Sequence, residues 1–160
     1  MAVPFTFSET IDVVELLTPA ADAGGRSGDI ISLRDCHKAC IVVHLDQGNA
    51  ATVALTPLQH ADVAGDGKAL SANCRITANQ DCAATSVSTL QTAAKNFTTS
   101  AAVKHKIVKF EIDPADLDQA NEYDCLSVTT GASNAANITS AKLLLYRRRQ
   151  EATPVNVIVD

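Results

Sequence analysis

The chain has 160 residues, is 46% hydrophobic and only 4% aromatic, lacks tryptophan and carries a net charge of −5. This length suits a single domain whose core is built from Val, Ile, Leu and Ala, and the acidic balance disfavours a general nucleic-acid binder, which concentrates positive charge against phosphates. No run approaches the roughly 20 apolar residues of a membrane span, and Met1-Ala2-Val3-Pro4-Phe5 lacks the basic-then-apolar order of a secretory signal, so the expectation is synthesis in a reducing cytosol.

Residues 1–16 read as an N-terminal extended segment and edge strand, with Phe5, Phe7, Ile11, Val13 and Val14 as apolar positions. Residues 18–29 read as a long loop, where Pro19 restricts φ and Gly24, Gly25 and Gly28 permit turn dihedrals that other residues avoid. Asp29 to Leu33 is a short strand. Residues 38–45 and 50–58 form two alternating runs joined by Asp46-Gln47-Gly48-Asn49, the pattern of an antiparallel hairpin. In it Ile41, Val43, Leu45, Val53 and Leu55 face the core, Thr52 and Thr56 face away, and Pro57 marks a strand end or exposed edge.

Residues 59–68 read as loop and 69–76 as a weak strand. The Ala/Thr/Ser/Asn-rich stretch 77–102 fits either a short helix near 84–94 or a strand near 97–101. The alternation of Val108, Phe110 and Ile112 with Lys109 and Glu111 gives a strand over 103–112 with one wet face. Asp113 then suits a helix N-cap and Pro114 the first helical position of a short turn. Residues 124–130 form a strand containing Cys125, Gly131 to Asn137 a loop, and Ala141 to Arg147 a final strand with Leu143 and Leu145 on one face, Leu144 and Tyr146 on the other. Expected core residues are Val43, Leu45, Val53, Leu55, Val108, Phe110, Cys125, Leu143 and Leu145.

This pattern predicts an all-β chain: a single-domain antiparallel β-sandwich, most simply a jelly roll, with extended termini. The sandwich spans 17–149, and 150–160 is an extended C-terminal arm. Val155, Val157 and Val159 share one side of that arm, which would either close its own sheet or lie on a neighbouring subunit. Arg147, Arg148 and Arg149 form a basic cluster suited to ion pairing beside such a junction. These six residues are the candidate partner-binding positions.

Little points to catalysis. Asp35, Cys36, His37, Cys40 and His44 include metal-ligating types, but on a strand Cys40 and His44 lie about 13 Å apart, too far for one tetrahedral ion. No phosphate-cradling glycine loop and no nucleophile elbow occur. Asp113, Asp116 and Asp118 lack the spacing of a calcium loop and suit helix capping. His60 and His105 stand without a partner at recognisable spacing. The five cysteines are odd in number and read as buried thiols, with a Cys74–Cys82 disulfide as the alternative. Asn96 and Asn137 begin sequons expected to stay unmodified. The chain is therefore expected to be no enzyme, with no catalytic residues, cofactor or metal.

The run Val14-Glu15-Leu16-Leu17-Thr18-Pro19 through Asp29, with His37 to His44, Gln47 to Ala51, Phe110-Glu111-Ile112-Asp113-Pro114, Tyr123-Asp124-Cys125 and Ala132 to Asn137, resembles small virion proteins of tailed bacteriophages. The resemblance spans most of the chain. It implies a structural particle protein that cements or decorates the capsid: a homo-oligomer, expected to be a trimer, bound to the phage major capsid protein on the outer capsid surface after synthesis in the host cytoplasm. A tail or head–tail component, or a carbohydrate-binding sandwich of the particle, is the alternative. The last is disfavoured because Tyr123 and Tyr146 have no second ring nearby in sequence.

Overall fold

A computed structural model describes residues 7–147. In chain order they form a helical turn α1 (Phe7–Thr10), then β1 (Ile11–Ala21), β2 (Arg26–Ser27), β3 (Ile31–Ser32), β4 (Cys36–Gln47), β5 (Ala54–His60), β6 (Lys68–Ala69), β7 (Arg75–Asn79), β8 (Thr89–Leu90), β9 (Phe97–Thr98), β10 (His105–Ile112), β11 (Cys125–Thr130) and β12 (Asn137–Arg147). Two 3-10 turns, Pro114–Asp116 and Gln119–Asn121, link β10 to β11. The strands make two antiparallel sheets, ordered β1-β12-β4-β10-β7-β8 and β2-β11-β5-β6, with β3 also on β11 and β9 also on β5. The fold is an all-β sandwich, and its strand order is compatible with a jelly roll.

Alternation builds this sandwich. In β10, Val108, Phe110 and Ile112 are buried while Glu111 is exposed. In β12, Ala141, Leu143 and Leu145 point inward. All nine expected core residues are buried. Leu16, Ile31, Ile41, Ile76, Leu126 and Val128 join them, so aliphatic side chains interdigitate between the sheets around Phe110, the one fully buried phenyl ring among the described residues.

The expected 38–45/50–58 hairpin does not form. β4 pairs with β12 and β10 in one sheet, whereas β5 pairs with β11, β6 and β9 in the other. Residues 48–53 cross between layers instead of turning within one. An amphipathic strand satisfies its apolar face equally well against a hairpin partner or a facing sheet, and local alternation cannot separate the two. Long-range polar contacts hold this crossing. The buried Gln47 amide donates to Ala51 O and Ser100 O, both at 3.0 Å, and Asn137 Oδ1 accepts from Asn49 N at 2.8 Å.

Pro57 does not end its strand. β5 continues to His60, with Pro57 opposite Val128 of β11. On the outer side β9 pairs with Ala54 and Leu55 and β6 with Leu58 and Gln59. The proline thus falls in the gap between two outer partners, where no ladder needs its missing N–H.

Other boundaries also differ from expectation. Residues 7–10 are a helical turn rather than extended, and β1 runs on through residues 18–21 that read as loop. Register shifts between Glu15 and Leu17 and between Leu17 and Ala20 let this strand carry Pro19 along the sheet. The 69–76 segment is mostly loop and the ordered strand is β7. Between 77 and 102, neither the helix near 84–94 nor a full strand forms; two-residue strands β8 and β9 do, pinned by partners distant in sequence. β12 begins at Asn137, earlier than Ala141. The expected turn after β10 is present: Asp113 caps it, its Oδ1 accepting from Ala115 N at 3.0 Å with Pro114 in the first turn.

Candidate functional site

One end of the sandwich carries an open cleft of about 760 Å³, within the range of small-ligand sites. The turn Leu33–Lys38 entering β4 forms one wall. The 3-10 segment supplies Asp113, Pro114, Ala115 and Gln119, and the ends of neighbouring strands add Asp124 and Tyr146. Cys36 N donates to Leu33 O at 3.0 Å and closes the turn. Asp35 sits at its apex with φ of 60°, a left-handed conformation that Asp tolerates better than most residues.

The tertiary fold brings together groups far apart in sequence. The His37 ring stacks on Tyr146 with centroids 5.8 Å apart and an interplanar angle of 29°. Lys38 forms an ion pair with Asp113; the ammonium holds the Asp113 carboxyl below its usual range, and the carboxylate raises the Lys38 pKa. Cys36 Sγ lies below this surface and donates to Lys38 O at 2.8 Å. By contrast, the Asp35 carboxylate and the Arg34 guanidinium, both exposed, have no side-chain partner among the described residues. Gln119 Nε2 donates to Pro114 O at 2.8 Å, leaving its Oε1 open.

The candidate metal-ligating residues are not gathered. Cys40 and His44 share the outer face of β4, where Cys40 lies opposite Glu111 and His44 opposite Ile107. Burial, with Glu111 adding, pushes the Cys40 thiol up to about 11. Among the described residues no three His, Cys, Asp or Glu side chains converge as metal ligands. Cys74 and Cys82 carry free thiols. Asp113 is held by capping and by Lys38, and Asp118 pairs with Lys68 and accepts from Asn121 Nδ2, whereas Asp116 is exposed and joins neither.

His60, which reads as isolated in sequence, has two partners. Its Nδ1 lies 2.9 Å from Gly65 O and its Nε2 2.7 Å from Ser127 Oγ. The carbonyl can only accept, so Nδ1 carries a proton, and in the neutral ring Nε2 then accepts from the Ser127 hydroxyl. This is the hydrogen-bond order of a serine–histidine pair. Both side chains are buried, however, with Ser127 2% exposed and Gly67 packed against the imidazole. In this arrangement the pair clamps the 61–67 loop onto β11.

Two other buried polar centres tie the layers together. Asp22 accepts from Thr130 Oγ1 at 2.8 Å, from Thr139 Oγ1 and from Arg26 Nε at 3.0 Å. Lys106 donates to Gln47 Oε1, Ser100 O and Ser100 Oγ. Of the candidate partner-binding residues, Arg147 ends β12 and pairs with Asp12 of β1. Arg148, Arg149, Val155, Val157 and Val159 lie outside the described residues, as do residues 1–6 and the 150–160 arm. Along the adjoining edge, β1 pairs with β12 on one side and has no strand on the other among the described residues.

No family model and no curated protein matches the sequence. Among solved structures, the chain is similar to the SPBc2 prophage-derived protein YomS, with 12% identity and a TM-score of 0.47 over 90% of this chain and 98% of that one. A Bacteroides thetaiotaomicron protein whose name carries a presumed sugar-binding role aligns at 12% identity and a TM-score of 0.31, over 77% of this chain and 66% of that one. At these scores neither likeness bears on function.

Proposed function

We propose that this chain is a non-enzymatic structural protein of a tailed-phage virion that binds the outer capsid surface as a homo-oligomer and stabilises or decorates the shell. The sequence resemblance to small virion proteins, which spans most of the chain, carries this reading. The architecture supports it. A sandwich held by buried polar clamps is a rigid body, and repeated rigid bodies on a lattice gain avidity without strong single contacts. The edge of β1 that has no strand beside it among the described residues lies next to the point where the chain leaves β12, where Ile11 pairs with Tyr146. Strand addition along Ile11–Glu15 by the arm of a neighbour would join copies there, and a trimer suits the local threefold positions of a shell.

An electron-microscopy map of the assembled particle tests this reading. Density for the sandwich at regular positions outside the shell is expected. Density confined to the tail or the head–tail junction would assign the chain to those parts instead, and absence from purified particles would remove the virion role.

A further inference from the structure

We infer that the end cleft beside Tyr146 is a binding site for a neutral oligosaccharide, a ligand-binding role independent of capsid attachment. Three observations converge. First, the tertiary fold supplies the second ring that Tyr146 lacks in sequence: His37 stacks on one face of it, and Tyr146 remains 43% exposed. Flat rings with an exposed face suit the C–H faces of a sugar. They offer contact area at small entropic cost, because each side chain has few rotatable bonds.

Second, the polar groups available around that ring pair are of both hydrogen-bonding kinds. Arg34 offers donors, whereas Asp35 and the Gln119 Oε1 offer acceptors, and none of these has a side-chain partner among the described residues. A sugar hydroxyl donates and accepts at once, and such mixed lining matches it. Asp35 is held at the apex of its turn by the Leu33–Cys36 hydrogen bond, so its position is set by backbone.

Third, charge excludes the main competitor. The cations Arg34 and Lys38 stand against Asp35, Asp113 and Asp124, and Lys38 is already neutralised by Asp113. There is no net positive field to draw a phosphate, a sulfated chain or nucleic acid. An uncharged polyhydroxylated ligand needs none. The volume of about 760 Å³ accommodates a short oligosaccharide.

The test is a microarray of neutral, phosphorylated and sulfated cell-surface glycans probed with the labelled full-length protein. Binding to at least one neutral glycan is expected, weakened about tenfold or more by Tyr146→Ala and by Asp35→Gly. Glycine adopts the left-handed backbone at position 35 freely and removes the acceptor, so Asp35→Gly carries the test even if the tyrosine variant loses its fold. Thermal unfolding of each variant separates loss of the site from loss of the sandwich. Absence of any neutral ligand, binding confined to charged glycans, or folded variants that bind like wild type would each overturn the inference.

Discussion

Lys106 Nζ donates to Gln47 Oε1 at 2.7 Å, and both side chains are removed from solvent. The ammonium's other acceptors are Ser100 O at 2.6 Å and Ser100 Oγ at 3.1 Å. A buried cation is therefore held by neutral oxygens alone, and desolvation lowers its pKa below 10.5. Replacing it orphans little, because Gln47 Oε1 still accepts from Thr99 Oγ1 and Ser100 O from Gln47 Nε2. Lys106→Met is expected to change stability by no more than about 1 kcal/mol in either direction at neutral pH. Between the lowered folded pKa and 10.5 the unfolded chain binds more protons than the folded one, so the wild type should gain stability with rising pH relative to Lys106→Met. Urea denaturation of both proteins across alkaline pH measures the difference; a flat difference up to 10.5 refutes the desolvated-cation account.

Phe110 is the only fully buried aromatic side chain among the described residues and packs where β10 lies between β4 and β7. Phe110→Ala is expected to cost about 3–5 kcal/mol, from lost transfer energy and the cavity left behind. A change below about 0.5 kcal/mol in chemical denaturation would contradict its place in the core.

Gly24 and Gly28 should respond in opposite ways to the same substitution. A Cβ on Gly28 would lie 2.7 Å from Leu16 O and 2.9 Å from Val128 O, backbone on both sides that cannot yield cheaply. A Cβ on Gly24 meets nothing within 4 Å. Gly28→Ala should lower the melting temperature markedly, whereas Gly24→Ala should leave it unchanged or raise stability by about 0.4–1 kcal/mol. Equal effects would show that the close approach at Gly28 is not tight.

Ser127→Ala removes the donor to a buried imidazole. The expected cost is about 1–3 kcal/mol for the unpartnered Nε2, with faster amide exchange in the 61–67 loop that His60 anchors through Gly65 O. Hydrogen exchange at wild-type rates in that loop would mean that the pair does not clamp it.

Deleting residues 152–160 bears on the proposed assembly. Loss of self-association or of capsid binding, with the wild-type unfolding transition retained, is the expected result by sedimentation and particle-binding assays. Unfolding of the isolated domain, or unchanged assembly, would rule out an arm that joins subunits.

Much of the core was legible locally. Val108, Phe110 and Ile112, or Leu143 and Leu145, alternate with residues that solvent can reach, and period-two patterning reports the buried face directly. The 113–116 turn was legible for a similar reason, since Asp113 and Pro114 act within a few bonds of where they sit. The site was not. Tyr146 and His37 lie far apart in the chain, and only the pairing of β12 with β4 brings their rings together. The His60–Ser127 contact likewise depends on β5 lying beside β11.

The division between the two follows from the range of the forces. By itself the sequence determined that this is an all-β chain with an aliphatic core, because alternation, turn residues and caps are written within a few positions. The tertiary structure decided which sheet each strand enters, so that β4 and β5 part where a hairpin was expected. It also decided which polar residues go inside. Asp22, Gln47 and Lys106 look like surface groups, and they are buried because their hydrogen-bonding partners, distant in the chain, offset the cost of leaving water.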